Sequence, residues 1–149
     1  MLKFKILIVL IAALILAQPV MASVGTEKLE DQLKVYMNDI TLKVKSTDDP
    51  EQKRAVLNET LLKIVDAIEI VEELPTITER ERPLIAQFKG DIQDKYDELN
   101  GLKGFERVAD EDLDTFTDYV MQDLEQARNY ITLGLGAFII IILLIILIA

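Results

Sequence analysis

The part of this sequence that most constrains the fold is its last nineteen residues, ITLGLGAFIIIILLIILIA, from Ile131 to Ala149. They carry no charge, and Thr132 is their only polar side chain. As an α-helix they would extend ~28 Å, close to the ~30 Å hydrocarbon core of a bilayer. We therefore predict a transmembrane helix over residues 131–149. A buried core helix is the alternative, and we do not expect it because the rest of the chain is too small to surround such a helix.

A second apolar segment lies near the N-terminus. Two lysines precede an apolar run over residues 6–17, and Val20 and Ala22 place small side chains soon after it. A positive start, a short apolar core and a small-residue site are typical of a secretory signal peptide. As a helix the run would span only ~18 Å, less than a bilayer core. We predict that residues 1–22 are a signal peptide, with a retained second anchor as the alternative.

Between these segments, residues 23–130 have the pattern of an acidic helical bundle. Apolar side chains recur at intervals of three and four, which is the spacing of one buried helix face. No run alternates with the period of two that is typical of β-strands. The breaks fall at prolines, asparagine and glycines. They predict helices over 26–45, over 50–74, from 78 or 82 to 100, and from about 110 onward. Short connections favour antiparallel neighbours, so we predict an all-α, up-down bundle of about four helices.

The fourth helix has no evident end before the membrane segment. Its apolar face runs from Leu113 through Leu124 to Ile131, and no proline interrupts it. We predict one helix from about residue 110 into the bilayer. Because the chain ends at Ala149, we expect no cytoplasmic tail, and any inward signal would then have to pass through a partner helix in the membrane.

Composition limits the chemistry that this chain can perform. Sixteen Lys and Arg stand against 26 Asp and Glu, a net charge of −10, so nucleic acid and anionic lipid headgroups are not expected partners. There is no histidine and no cysteine. Nucleophilic triads usually need an imidazole base, and zinc sites use Cys or His in nearly every case. We expect no catalytic residue, no metal and no cofactor, and hence no enzyme.

The best candidate for an interaction surface is the acidic stretch DEDLDTFTDYVMQDLE, residues 110–125. At about 100° per residue, four of its acids share one helix face opposite the apolar face: Glu111, Asp114, Asp118 and Glu125. This face either binds a cation or a protein partner, or is an ordinary solvated surface. In the membrane segment, small residues at Gly134, Gly136 and Ala137 could allow a second helix to approach, although they do not form a small-xxx-small pattern.

These features predict a membrane-tethered, non-enzymatic interaction, scaffold or regulatory module of the cell envelope. Export by the signal would place the bundle outside the cytoplasm, on a single-pass anchor in the inner or plasma membrane. We expect the lipid bilayer and another envelope or membrane protein as partners, and self-association into a homo-oligomer is possible. The alternative is a ligand-sensing bundle that acts through a partner membrane protein. That layout resembles, in architecture, the periplasmic four-helix sensor domains of chemoreceptors.

Overall fold

The computed structural model describes residues 24–132 and 135–148. Within these residues the chain is helical and contains no strand, so the predicted all-α fold is confirmed. The predicted signal peptide, residues 1–22, lies outside the described part. The elements in chain order are α1 (Val24–Lys45), α2 (Pro50–Glu72), α3 (Glu81–Asn100), a 3₁₀ turn (Asp110–Asp112), α4 (Leu113–Thr132) and α5 (Gly136–Ile148).

Local sequence signals account for the helix ends. Asp49 caps α2, since its carboxylate accepts a hydrogen bond from the Glu51 N–H at 3.0 Å, and Pro50 opens the helix where no N–H is needed. Gly101 ends α3 in the left-handed conformation at φ 66°. The helix start that the sequence left open falls at Glu81, where a capping box with Thr78 forms.

Ion pairs and hydrogen bonds between helices show an up-down bundle for α1 to α4. The end of α1 meets the start of α4 through Lys45 and Asp118, at 2.6 Å. The start of α1 meets the end of α4 through Glu30 and Arg128, at 3.2 Å. Helices α2 and α3 are antiparallel too, because Arg54 near the start of α2 donates to Leu99 at the end of α3, and Glu72 at the end of α2 pairs with Lys89 in the first half of α3. We call the two ends of the bundle the Gly101 end and the Glu81 end.

The C-terminal segment differs from our prediction of one continuous helix. Helix α4 ends at Thr132, and Leu135 lies outside any helix before α5 begins at Gly136. Helix α5 then packs against α1, α2 and α4 and also contacts α3. Eight of its flanking and helical side chains are buried: Leu135, Ala137, Phe138, Ile140, Ile141, Ile142, Leu144 and Ile145.

The bundle therefore buries most of α5, which we did not expect, but it does not surround the helix on all sides, since Leu147 is exposed and Ile139 and Leu143 are half-buried. Four amphipathic helices leave room for one short apolar helix, because α5 is only 13 residues long, or ~20 Å. Burying each large side chain contributes roughly 1.5–3 kcal/mol, so the bundle gains substantially from enclosing it. Among the described residues, no helix combines the length and the apolarity needed to cross a membrane.

Candidate functional site

The predicted acidic face on α4 is partly engaged by lysines of the neighbouring helices. Asp114 pairs with Lys53 of α2 at 2.5 Å, and Asp118 pairs with Lys45 of α1 at 2.6 Å. Both lysines come from the Gly101 end of the bundle. These two acids therefore hold α4 against α1 and α2. This role differs both from the partner-binding face and from the ordinary solvated surface that the sequence suggested.

The other two predicted acids remain accessible. Glu111 is exposed in the 3₁₀ turn, and Glu125 is exposed on the outer side of α4. Neither forms an ion pair with another described residue. Asp114 and Asp118 also keep 45 % and 60 % of their side-chain surface exposed beside their lysines, and binding of a cationic partner to this face stays a prediction.

A buried arginine organises the Gly101 end next to this face. Arg54, 5 % exposed, donates to the Leu99 carbonyl oxygen at the end of α3 and to the Val108 carbonyl oxygen at 2.8 Å. It also pairs with the Asp110 carboxylate at 2.7 Å. One guanidinium therefore fixes the end of α3, the following loop and the start of the acidic stretch, which suits its planar array of donors.

An open groove lies between the end of α3, this loop and the start of α4. Its volume is about 600 Å³, and its walls include both charges and aromatic rings. Glu98 and Asp112 contribute carboxylates, Arg107 a guanidinium, and Phe116 and Tyr119 the rings. Such mixed walls suit a small amphipathic molecule that carries a positive charge.

Lys95 connects this groove to the interior of the bundle. Its ammonium lies 3.6 Å from the centre of the Tyr119 ring and 3.5 Å from the Asp123 carboxylate. Burial disfavours its charge, but the contact with Tyr119 and the negative charges of Asp123 and Glu98 outweigh burial and hold the pKa of Lys95 above its usual value. Lys95 therefore stays charged at neutral pH and acts as a positive anchor between α3 and α4 rather than as a base.

At the opposite end, one carboxylate joins the starts of two helices. Glu81, 7 % exposed, accepts a hydrogen bond from the Ala137 N–H at 3.0 Å through Oε1. Its Oε2 accepts from the N–H and the hydroxyl of Thr78, at 3.1 and 2.7 Å. Burial works to raise the pKa of Glu81, but these hydrogen bonds and the charge of Arg80 outweigh it and hold the pKa below its usual value.

This contact also locates the small residues predicted for helix–helix contact. Gly136 is exposed at the first position of α5, and Ala137 is buried beside Glu81. Gly134 lies outside the described residues. Two of the three small residues thus mark the turn into α5, and their contact with a second membrane helix stays a prediction.

Sequence reasoning missed Arg54 and Lys95, and it recognised Glu81 only as the partner of Thr78 in a capping box, although the pattern contains a signal that each is buried. All three lie in register with an apolar face: Arg54 three residues before Leu57, Lys95 three after Ile92, and Glu81 four before Ile85. A charge on an apolar face is either at the edge of the core or buried with partners. Here each is buried with partners.

The described charged side chains fall into two groups, those paired with another residue and those left accessible. In the described ranges 24–132 and 135–148, no group of three or more acidic side chains is placed to hold a metal ion. Arg54, Lys95 and Glu81 link different elements of the bundle, and the accessible charges include Glu111, Glu125 and those along the open groove. Comparison with protein-family models, with curated proteins and with solved structures finds nothing that matches this chain.

Proposed function

We propose that this protein is a membrane-tethered, non-enzymatic helical module of the cell envelope, which binds, scaffolds or regulates another membrane protein from outside the cytoplasm. Residues 131–149 supply the tether, and the acidic bundle supplies the binding surface. The observation that carries this proposal is the outward face of α5.

That outward face is apolar, and the bundle does not cover it. At about 100° of rotation per residue, one side of α5 carries three apolar side chains, of which Leu147 is exposed and Ile139 and Leu143 are half-buried. Gly136, also exposed, lies on the same side. A helix that serves only as part of a water-soluble bundle carries polar residues on its outer side, as α2 does with Glu59, Asp66 and Glu69. An apolar outer face suits a helix that meets lipid.

The tether can be tested with substitutions that the bundle tolerates and a bilayer does not. In the full chain, Ile139→Lys with Leu143→Lys places two charges on the outward face of α5, near the middle of residues 131–149. Each lysine opposes membrane insertion by about 2.5–3.5 kcal/mol at the bilayer centre. We expect the double variant to leave the membrane fraction on alkaline extraction.

The matched control puts the same two charges elsewhere on the bundle. Val35→Lys with Leu62→Lys replaces apolar side chains that are 59 % and 46 % exposed on α1 and α2. This variant should stay with the membrane like the unmodified chain. Equal extraction of both double variants would rule out residues 131–149 as the tether.

The binding surface can be tested on the accessible acids. Glu111→Gln with Glu125→Gln removes two charges without breaking any ion pair among the described residues. We expect the unmodified chain to cross-link to a membrane protein at a fixed ratio. The variant should no longer form this cross-linked product. Asp66→Asn with Glu73→Gln, two exposed acids that likewise form no ion pair with another described residue, is the charge-matched control. Retention of the partner by the first variant would exclude the acidic face.

The groove of about 600 Å³ favours a second function, a ligand-sensing bundle that acts through a partner membrane protein. Its charges suit small organic cations. If it is a sensor, an amine from a panel should raise the melting temperature of the full chain, and Asp112→Asn should abolish the rise. No shift with any amine would leave the interaction module as the better account.

A further inference from the structure

We propose that α5 exchanges between two environments. One is the groove that α1, α2 and α4 form around it in water, which is separate from the open groove at the Gly101 end, and the other is the interior of a lipid bilayer. The Glu81–Ala137 contact favours the groove among the helices. The inference rests on the membrane tether proposed above. The inference adds that lipid competes with the bundle for α5, and that Glu81 sets how strongly α5 prefers the bundle.

Both environments suit this helix because it is apolar on every side. From Ala137 to Ile148 it carries no polar side chain. The groove covers most of it but leaves Leu147 54 % exposed and Ile139 and Leu143 half-buried. A bilayer would cover these remaining side chains as well, so transfer gains apolar burial for α5.

Specific contacts oppose that transfer. Phe138 is fully buried, with its ring centre 4.2 Å from that of Tyr130 and 5.8 Å from that of Phe88. The first N–H groups of a helix have no partner within it, and Glu81 satisfies the one at Ala137. A negative charge at this position is also favoured by the helix dipole.

Transfer needs only a local change in the chain. The Leu135 N–H already bonds to the Tyr130 carbonyl oxygen at 3.2 Å, five residues back, so Leu135 lies close to the end of α4. If the break became helical, Ala137 would bond to the carbonyl four residues earlier and would no longer need Glu81. Residues 131–149 would then reach ~28 Å, enough to cross a bilayer core.

The experiment uses the full chain, which contains no tryptophan. Leu143→Trp introduces a single reporter on the half-buried face of α5. Vesicles of neutral phosphatidylcholine with brominated acyl chains quench this tryptophan only when it enters the bilayer. Adding Glu81→Ala should lower the lipid concentration at half-quenching about tenfold, which corresponds to the loss of about 1.4 kcal/mol of preference for the groove. Glu81→Gln, which keeps the capping box, should give a smaller change in the same direction.

Thr78→Ala is the matched control, because it weakens the same capping box and leaves the Glu81–Ala137 contact in place. It should leave the half-quenching concentration within about twofold of the parent. Equal half-quenching in all variants would overturn the role of Glu81 and leave the tether standing. No quenching at any lipid concentration would overturn both the exchange and the tether.

Discussion

The guanidinium of Arg54 is the only group in the described chain that joins the end of α3, the following loop and the 3₁₀ turn. Replacing it by methionine keeps much of its volume but leaves the Leu99 and Val108 carbonyl groups without this partner. Losing a buried charged partner costs several kcal/mol. The importance of Arg54 follows from burial that a single sequence does not display, even though its position on the apolar face hints at it.

We therefore expect Arg54→Met to lower the free energy of unfolding by about 3 kcal/mol. Urea unfolding of the full chain, followed by circular dichroism, measures this loss. Arg82→Met is the control, since its pair with Glu79 at 3.5 Å is largely exposed and should contribute less than about 0.5 kcal/mol. Similar losses in the two variants would contradict the role given to Arg54.

The lowered pKa of Glu81 predicts that the free energy of unfolding decreases at acidic pH. Its pKa is held below the usual value of 4.5 in the folded protein, so the folded state binds its proton less readily than the unfolded state does. Its stabilisation is complete above about pH 4.5 and is lost as the pH falls through the folded-state pKa. The neighbouring charge of Arg80 persists through this range and does not change the sign.

The measurement compares the unmodified chain with Glu81→Gln. At pH 7 the unmodified chain should be the more stable, and the difference should shrink below pH 4.5 because the protonated acid resembles the amide. Unfolding free energies at several pH values between 3 and 7 test this. A difference that stays constant with pH would show that the charge of Glu81 contributes nothing.

At the scale of elements, three glycines distinguish the effect of a left-handed backbone from the effect of a steric clash. Gly101 ends α3 at φ 66°, and an added Cβ would lie 2.8 Å from Arg107 Cβ and 3.0 Å from its backbone nitrogen. Gly104 has φ 91° with open space around it, and Gly90 lies inside α3 with nothing within 4 Å. An added Cβ would therefore meet backbone strain and a clash at Gly101, backbone strain alone at Gly104, and neither at Gly90.

Substitution of each by alanine should follow that order. Gly101→Ala should destabilise by more than 2 kcal/mol, and Gly104→Ala by about 1–2 kcal/mol. Gly90→Ala should stabilise by about 0.5–1 kcal/mol, because alanine favours a helix interior. Melting of the full chain measures all three. If Gly101→Ala and Gly104→Ala were equally destabilising, the close approach of Arg107 would be unimportant.

The helices themselves could be predicted because their signals are local. Asp49-Pro50 starts α2 and Gly101 ends α3, and both act within one turn of the chain. The partners of Asp114 and Asp118 could not be predicted in the same way. Lys53 and Lys45 lie 61 and 73 residues away in sequence, and only the packing of α4 against α1 and α2 brings them together.

At the scale of the whole molecule, the sequence could not determine where α5 lies. A helix that is apolar all round is expected either inside a protein or inside a membrane, and its pattern does not distinguish them. The deciding quantity is the space among four other helices, which depends on packing between residues far apart in the chain. The structure places α5 in that space, and its apolar outward face supports a second, lipid environment.

The most direct test is a distance across the molecule. The full chain contains no cysteine, so Leu102→Cys and Leu147→Cys, both at exposed positions, take two spin labels without side reactions. With α5 in the groove, the labels lie within the ~30 Å length of a twenty-residue helix. With α4 and α5 joined in a phosphatidylcholine bilayer, the separation becomes about 50 Å.

Pulsed electron spin resonance resolves these two distances. We predict the short distance in water and a growing population at the long distance as vesicles are added. A single distance that does not change on adding lipid would contradict the account. So would the absence of the short distance in water.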